Sequence, residues 1–318
     1  MNFKHYTKVI NQIVDMKQRG VGSRTIGKQL NLGKSTINDY YKFWLEQNSI
    51  INDEVKDVPK VLVLDIETAP ILGHVWRLWK QNVGLNQIET DWHLLSYAAK
   101  WYESDGVIYE DQRHQEDITN DYDLLKNLWD LLDKADIVIS QNGKSFDIKK
   151  IRARMIIHGF KPFSPIKHCD TLEVAKKTFG FTSNKLEYMT SVLCTETVKS
   201  KHAKFPGFEL WKECLAGNIE AWDEMKAYNI DDVVSLQELY DKLAPWSDRL
   251  PNFSLYNSKN KFTCRCGSHN LVESGFAYTE VSKFQKYVCE DCGAHYRGRK
   301  NLLTKEKRDS ILTNVREN

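Results

Sequence analysis

Two acidic residues close the most apolar strand-like run of the sequence. Val61–Leu64 are four consecutive apolar residues, and Asp65 and Glu67 follow before Pro70 ends the run. Side chains alternate along a strand, so Asp65 and Glu67 project from the same face. Neighbouring carboxylates repel each other, and a divalent cation with oxygen ligands relieves that repulsion. The pair predicts a metal site. From this spacing alone, an equally good interpretation is two solvated acids at the end of a surface strand.

A second acidic segment follows a second run that is typical of a buried strand, Ile137–Ser140. Asn142, Phe146 and Asp147 come next, and Asp147 begins a segment whose apolar residues recur at helical spacing. An acid in the first turn of a helix also stabilises the helix dipole, so capping is the alternative role for Asp147. The segment offers one further carboxylate beside a strand end.

A third acidic segment lies within a long helix predicted from Ile219 to about Leu243. Tyr228 and Asp232 are four residues apart and therefore share a helix face. Asp231 is a competing acid, but only Asp232 has this relation to Tyr228. A tyrosine packed near a surface acid is the simpler alternative for the pair.

Taken in order, the three segments resemble the motifs of the DEDD group of 3′–5′ exonucleases. The match is to the tyrosine subgroup, as in family B polymerase proofreading domains and phage-type stand-alone exonucleases, since Ala227 stands where other members carry histidine. The resemblance covers about residues 60–245. It implies an α/β, ribonuclease-H-like mixed sheet flanked by helices and a site for two Mg²⁺ or Mn²⁺ ions.

The same resemblance implies a role for each motif residue. Asp65 would bridge the two ions, Glu67 and Asp232 would complete the site that holds the attacking water, and Asp147 would support the other ion. Tyr228 would orient or deprotonate that water alongside Glu67. Asn142 and Phe146 would shape the pocket for the terminal nucleotide. The predicted substrate contacts are Thr68, Asn142, Lys144 and Phe146.

Other segments of this region predict the rest of the sheet. Val75–Trp79 and His93–Tyr102 have strand-like patterns, and Asp105-Gly106 is a turn signal that leads into a third strand. A leucine-rich amphipathic helix follows. Trp211 and Trp222 are predicted to pack in the core rather than to stack on bases.

The first 45 residues predict three short helices. Gly20-Val21-Gly22 is predicted to end the first helix. Ser23 is a candidate N-cap for a second helix, Arg24–Leu30, and Ser35 is a candidate N-cap for a third helix that runs through Trp44. The stretch Thr25–Tyr40 resembles the helix-turn-helix of resolvase and transposase DNA-binding domains. A three-helix protein-interaction module is the alternative. The predicted DNA contacts are Lys34, Thr36, Asn38 and Lys42 on or beside the recognition helix, with Arg24 on phosphates.

Four cysteines form two pairs near the end of the sequence, separated by two runs that alternate like a hairpin, Ala277–Val281 and Phe284–Val288. This arrangement resembles the zinc ribbons of transposases and phage nucleases, with one structural Zn²⁺. The first pair is Cys-x-Cys rather than Cys-x-x-Cys, which leaves His269 or His295 as alternative ligands. A disulfide pair is the other alternative. The predicted ligands are Cys264, Cys266, Cys289 and Cys292.

Charge is distributed unevenly. Residues 1–45 carry a net charge of +6, residues 252–318 carry +5, and the centre carries −9. Basic ends on an acidic body indicate nucleic-acid-binding modules. The predicted organisation is a helix-turn-helix at 1–45, a linker at 46–59, a ribonuclease-H-like domain at 60–247, a zinc ribbon at 260–300 and a basic tail at 301–318.

No apolar run approaches 18 residues, so no membrane span is expected, and the N-terminus lacks a secretory signal. Together with the scattered remaining cysteines, this predicts a reducing cytoplasm. The combination of modules suggests a phage or mobile element.

The leading functional hypothesis is a free-standing, metal-dependent 3′–5′ exonuclease that acts on DNA in preference to RNA. Any polymerase or replication partner would act in trans, because no polymerase fits after residue 245. A DNA-binding regulator with an inactive nuclease body is one alternative. A transposase-like strand-transfer enzyme is another, but such enzymes use an Asp, Asp, Glu triad with the Glu last, whereas Glu67 lies beside the first acid here.

Overall fold

The computed structural model describes residues 3–18, 21–52, 59–102, 104–195, 197, 204–256 and 262–315. The chain divides into two compact units, Met1–Val58 and Pro59–Asn318. None of the helices in the described ranges combines the length and hydropathy needed to cross a bilayer.

The first unit is a three-helix module. Helix α1 spans Phe3–Gln18, α2 spans Ser23–Leu30 and α3 spans Lys34–Asn52. Their apolar faces meet in one small core because each helix carries its apolar residues three or four positions apart. The buried residues of this core are Ile10, Ile13, Val14, Ile26, Ile37 and Tyr40.

A tight turn joins α2 to α3. Asn31 adopts a left-handed conformation (φ 51°) at the end of α2, and Leu32 N donates a hydrogen bond to Gly27 O over 2.8 Å. A Cβ at position 27 would lie 2.5 Å from Leu32 O, so the turn requires glycine there. This packing brings α2 and α3 close together.

The predicted N-caps of the first unit are wrong. Helix α2 begins at Ser23 itself, with Gly22 as its N-cap, and α3 begins at Lys34, so Ser35 lies inside the helix. Ser23 Oγ instead donates to Asn38 Oδ1 over 2.6 Å, which ties the two helices together. Helix α3 continues to Asn52, so residues 46–52 of the predicted linker are helical, and residues 53–58 lie outside the described ranges.

The second unit is built on a five-stranded mixed sheet. Its strand order is β5-β4-β1-β6-β7, with β1, β6 and β7 parallel and β4 antiparallel to both β1 and β5. A separate pair, β2 and β3, is antiparallel. The strands are β1 Val61–Thr68, β2 Leu72–Gly73, β3 Ile88–Thr90, β4 Leu94–Trp101, β5 Val107–Asp111, β6 Ile137–Ser140 and β7 Lys167–Asp170.

Helices cover both faces of this sheet. Val61 and Val63 of β1 pack with α9, whereas Leu62 and Leu64 pack with α4 and α5. All four are buried, which stabilises the fold by roughly 1.5–3 kcal/mol for each side chain. The helices are α4 Tyr122–Lys134, α5 Asp147–Ile157, α6 Thr171–Thr178, α7 Leu186–Leu193, α8 Glu209–Leu215 and α9 Ile219–Leu243.

One predicted strand of the sheet is wrong. Val75–Trp79 lies in a loop between β2 and β3 and joins no strand. Its apolar side chains produce a strand-like pattern but face solvent instead of a core. The other predicted strands, His93–Tyr102 and the one after Asp105-Gly106, correspond to β4 and β5.

A small three-stranded antiparallel sheet of order β10-β9-β8 lies in the C-terminal part of the second unit. Strand β8 spans Leu271–Tyr278, β9 spans Lys283–Cys289 and β10 spans His295–Arg297. Strand β8 therefore begins and ends earlier than the predicted run, Ala277–Val281. Arg265 Nη1 donates to Ser247 O over 2.5 Å and links the segment before β8 to the segment that follows α9. The basic tail contains a short helix, α10, Lys305–Asp309.

Candidate active site

Strand β1 presents two acids toward helix α9. Asp65 and Glu67 continue the face that Val61 and Val63 begin, and both are half-buried. The pairing of β1 with β4 shifts register between Glu67 and Thr68. Such bulges bend a strand and redirect its side chains, often beside functional sites.

Asn229 holds Asp65 in place. Its Nδ2 donates to Asp65 Oδ2 over 2.6 Å, and its Oδ1 accepts from Ser96 Oγ over 3.1 Å. Asn229 is fully buried, so both hydrogen bonds are made away from water. The sequence prediction missed this residue. The signal was an amide on the apolar stripe of α9, where Met225 and Val233 flank it one turn away on either side.

Asp147 approaches β1 from the opposite side. As the first residue of α5 it is buried, and its Oδ1 accepts a hydrogen bond from Ile66 N over 3.3 Å. Ile66, whose backbone N–H makes this bond, lies between Asp65 and Glu67 in β1. The second acidic segment therefore lies beside the first, where the parallel strands β1 and β6 end.

The turn before Asp147 depends on a close backbone approach. A Cβ at Gly143 would lie 2.0 Å from Ser140 Oγ and 3.3 Å from Asp147 Oδ2. Asp170 Oδ1 and Oδ2 accept from Asn142 N (2.9 Å) and Lys144 N (3.1 Å) and fix the same turn. Gly143 and Asp170, neither of which the sequence prediction singled out, thus position Asp147.

Helix α9 supplies the third segment. Tyr228 and Asp232 lie one helical turn apart, and the charge of Asp232 acts on the phenol of Tyr228. Asp232 is buried and its charge acts on Asp65, whereas Asp231 is only partly buried. The structure thus places Asp232 near Asp65.

Electrostatics connect all four carboxylates. Burial raises the pKa of Asp65 well above its ordinary value. The charges of Asp147, Glu67 and Asp232, in decreasing order, raise that pKa further. Burial also raises the pKa of Asp147, to about 7, although hydrogen bonds from backbone N–H groups oppose the change. A buried acid on which three other carboxylate charges act forms a site that cations would stabilise.

Tyr228 stays protonated across the neutral range. Burial raises the pKa of its phenol, and the charges of Asp232, Glu67 and Asp65 raise that pKa further. A neutral phenol donates a hydrogen bond but does not remove a proton from water. Of the two predicted roles for Tyr228, this environment favours orientation of a water molecule over its deprotonation.

The donor set fits divalent metal ions. Oxygen ligands from four carboxylates are those that Mg²⁺ and Mn²⁺ prefer. Within the described part of the chain, only the four cysteines have ligand atoms that all lie within 4.8 Å of one another. The carboxylate oxygens lie farther apart than the ligands of one ion, so three of these side chains would have to draw closer together around an ion that they share.

An aromatic cleft of about 450 Å³ opens beside the carboxylates. Lys150 Nζ lies 3.6 Å from the centroid of the Trp92 ring, and Trp211 packs edge-on against Tyr228 at 6.3 Å. Trp222 is fully buried in a core cluster, and Trp211 is half-buried, packs against that cluster and also lines the cleft. The cleft is lined by Thr68, Ala69, Pro70, Ile71, Trp92, Lys150, Phe208 and Trp211.

The predicted substrate contacts lie around this cleft but differ in how readily their side chains could bind a substrate. Thr68 lines it, and the exposed ring of Phe146 lies 5.5 Å from Lys150 Nζ. Asn142 adopts a left-handed conformation (φ 64°) in the turn that precedes Asp147. Lys144 Nζ pairs with Glu173 over 2.7 Å, so a phosphate would have to compete for it.

The predicted DNA contacts lie on the second and third helices of the first unit. Arg24, Lys34, Asn38 and Lys42 are exposed, and Thr36 is half-buried. Asn38 accepts the hydrogen bond from Ser23 and therefore also has a structural role. The other predicted contacts present a basic surface along α2 and α3.

The four predicted cysteines converge at the base of the small sheet. Sγ atoms lie 3.4 Å apart for Cys264 and Cys292 and 3.7 Å apart for Cys266 and Cys289. Tetrahedral Zn²⁺ with Zn–S bonds of about 2.3 Å sets such separations near 3.8 Å, so the cluster fits one zinc ion. These distances exceed a disulfide bond, and the cluster contains neither His269 nor His295.

Local interactions tune these thiols. Burial would raise the pKa of Cys289, but N–H groups of Cys292 and Asp291 lower it to about 7. Tyr296 Oη lies 3.1 Å from Cys264 Sγ and accepts a hydrogen bond from Arg265 N over 3.2 Å. The knuckles are thus supported by a surrounding hydrogen-bond network, as metal-binding cysteines usually are.

The sequence profile of the RNase H superfamily matches residues 62–244, which is more than half of the chain. The chain belongs to the RNase H superfamily. The predicted α/β ribonuclease-H-like fold is therefore confirmed, and the matched segment contains all five proposed catalytic residues. Membership in this superfamily supports a nuclease-type function in general, and its nucleases generally use divalent metal ions.

Among solved structures, the family B DNA polymerase from the hyperthermophilic archaeon Pyrobaculum calidifontis is similar to this RNase H superfamily member. The TM-score is 0.43 and the sequence identity 15%, over 59% of this chain and 25% of the polymerase. The match spans only a quarter of the polymerase's length, and its similarity is too low to support a functional argument. No curated protein sequence matches the chain.

Proposed function

We propose that the protein is a metal-dependent 3′–5′ exonuclease of the tyrosine-type DEDD group that acts on DNA. The main support is the convergence of three carboxylate charges on Asp65 at the end of the central strand. A solvated surface pair would not bury Asp147 and Asp232 beside it or need the Asn229 hydrogen bond. Asp65, Glu67, Asp147 and Asp232 would hold two Mg²⁺ or Mn²⁺ ions.

In the proposed reaction, water adds to the phosphorus of the last phosphodiester, and the bond to the 3′ oxygen of the preceding nucleotide breaks. The products are a nucleoside monophosphate and a strand shortened by one nucleotide. When bound, the ions would lower the pKa of water and neutralise the developing charge. The protonated phenol of Tyr228 would donate a hydrogen bond to the attacking water, and Glu67 would accept one from it.

Replacing Tyr228 with Phe is expected to lower the single-turnover cleavage rate by about 10²–10³-fold, since one well-placed hydrogen-bond donor is lost. Because the pKa of Tyr228 is raised, the phenol is not the group that titrates near neutrality, so the variant should keep the wild-type pH profile between about pH 6 and 9. Rapid-quench assays with saturating Mn²⁺ would measure both quantities. A flattened pH profile would instead make Tyr228 the base.

The cleft would receive the terminal nucleotides. Its volume of about 450 Å³ lies in the range of roughly 300–1,000 Å³ of ligand pockets, and aromatic rings stack on any base. Lys150 would contribute a positive charge for a phosphate. The substrate contacts we propose remain Thr68, Asn142, Lys144 and Phe146.

The terminal modules would hold the enzyme on its substrate. We assign DNA binding to the helix-turn-helix surface of Arg24, Lys34, Thr36, Asn38 and Lys42, and one structural Zn²⁺ to the four-cysteine ribbon. An acidic body with basic ends needs such anchors, because polyanions are repelled by its net charge of −9. A polymerase or replication protein would be the partner in trans.

Replacing both Lys34 and Lys42 with Ala is expected to weaken duplex binding and to reduce the slope of log K against log salt by about 1.8, or about 0.9 for each phosphate contact. Filter binding at several salt concentrations would measure the slope. As a matched control, Lys126→Ala with Lys134→Ala removes two exposed lysines of α4 and should leave the slope unchanged. Equal slopes in all three proteins would rule out the first unit as a DNA clamp.

The polarity of digestion tests the proposed activity. A 5′-labelled DNA strand with Mn²⁺ should give a ladder that shortens by one nucleotide at a time, and a blocked 3′ end should stop it. Products of a single internal cut, or of joining to a second DNA, would favour a transposase-like enzyme instead. A parallel RNA strand of the same sequence would report the preference for DNA.

A further inference from the structure

An exposed apolar loop follows the central strand. Residues 74–87 connect β2 to β3, and Trp76, Leu78 and Trp79 are 94%, 85% and 78% exposed. Burial of these side chains would stabilise the protein, and the fold forgoes that gain. Concentrated exposed apolar surface of this kind usually marks a binding surface.

The loop is shaped by its own hydrogen bonds rather than by burial. Arg77 Nη2 donates to Lys80 O over 2.7 Å, and Trp76 N donates to Gln81 Oε1 over 3.2 Å. At the base, His74 N donates to Gln87 O over 2.8 Å, and a Cβ at Gly73 would lie 2.7 Å from that oxygen. The indole rings are thus carried on a defined turn instead of a hydrophobic core.

The charge of the loop favours a polyanion. Residues 74–87 contain Arg77 and Lys80 but neither Asp nor Glu, although the central region as a whole is acidic. Aromatic rings next to cationic side chains are the combination that holds single-stranded nucleic acid without sequence preference. The cleft repeats this combination in Lys150 above Trp92.

The loop is also continuous with the cleft. Pro70 and Ile71 line the cleft, and β2 begins at the next residue, Leu72. A strand whose 3′ end lies in the cleft therefore has an aromatic and basic surface at its margin. We propose that the Trp76–Lys80 loop is a stacking surface for the single-stranded nucleic acid that leads into the cleft. This inference rests on the proposed exonuclease function.

The test compares the affinities of the full-length protein for two oligothymidylates, of about 4 and about 20 nucleotides, in metal-free buffer. Replacing Trp76 and Trp79 with Ala is expected to weaken binding of the longer strand at least about tenfold, because two base-stacking surfaces are lost. Binding of the shorter strand, which fills the cleft alone, should change by less than about twofold. Both side chains are exposed, so the melting temperature should not fall.

Two further variants sharpen the comparison. Trp246→Ala removes another exposed tryptophan, one that packs against Phe179, and should leave both affinities at the wild-type level. Arg77→Gln with Lys80→Gln should reduce the salt slope for the longer strand by about 1.4, or about 0.7 for each contact. Unchanged long-strand affinity in the tryptophan double variant would overturn the inference. The inference would also be overturned if the tryptophan double variant lost affinity for phosphatidylglycerol vesicles but bound DNA as tightly as the wild-type protein.

Cleavage separates this inference from the proposed function. The tryptophan double variant should still hydrolyse the shorter strand with Mn²⁺ at the wild-type rate. If the wild-type protein cleaves neither strand, the exonuclease proposal fails while the binding comparison still decides whether the loop holds DNA. If wild-type and variant cleave and bind the longer strand equally, only the loop inference fails.

Discussion

Replacing Asp65 with Asn is expected to lower metal-dependent DNA cleavage by at least about 10³-fold. Asp65 is the acid on which the other three charges act, so its loss would disrupt the whole proposed cation site. The substitution retains an oxygen that can accept the 2.6 Å hydrogen bond from Asn229, so local packing should survive. Initial rates on a 5′-labelled strand with Mn²⁺ would measure the loss.

Affinity for the same DNA without metal should stay within about twofold of wild type, because the proposed DNA contacts lie elsewhere. Asp130→Asn, an exposed acid of α4, is the matched control and should keep full activity. If Asp65→Asn retained more than about a tenth of the wild-type rate, the carboxylate cluster would not be the catalytic site.

Removing zinc is expected to unfold the small C-terminal sheet while the nuclease-like body remains folded. Few apolar side chains support this sheet, and its buried cluster consists of Cys264, Cys289 and Ala294. Zinc sites of this type contribute about 10–16 kcal/mol of apparent binding free energy, which is also folding free energy. Metal analysis should find one zinc per chain, and Cys289→Ser should make residues 262–315 sensitive to protease.

Cys194→Ser is the control for the zinc prediction. This half-buried cysteine lies outside the cluster, with its Sγ 3.9 Å from Ser235 O, so the variant should keep its zinc and its protease resistance. A wild-type protein with well under one zinc per chain and an intact small sheet would refute the structural metal site.

The sequence predicted the elements whose signals are long or redundant. Strands β1 and β6 each begin with an unbroken apolar run, and α9 carries its apolar stripe for 25 residues, so their positions were predicted correctly. Since the acids follow directly from these elements, their convergence on one strand end could be anticipated. The ends of parallel strands in such sheets are where ligands usually bind.

The features that the sequence did not predict depend on tertiary contacts. Whether Val75–Trp79 is a strand depends on an available partner, which periodicity does not report. Asn229 gains its role only when Asp65 and Ser96 are brought beside it from distant strands. Trp211 packs against the core as its size suggests, but the sequence did not indicate that it also lines the cleft.

Adjacent acids on α9 provide the most direct measurement of the central claim, that the three acidic segments form one metal-dependent nuclease site. Asp232 is buried and its charge acts on Asp65, whereas Asp231 is only partly buried. Single-turnover cleavage of a 5′-labelled DNA strand should be compared for Asp232→Ala and Asp231→Ala over a range of Mn²⁺ concentrations. We expect Asp232→Ala to lose at least about 10³-fold in rate and Asp231→Ala to stay within about threefold of wild type. Equal losses in both variants, or no metal-dependent cleavage by the wild-type protein, would contradict the proposed site.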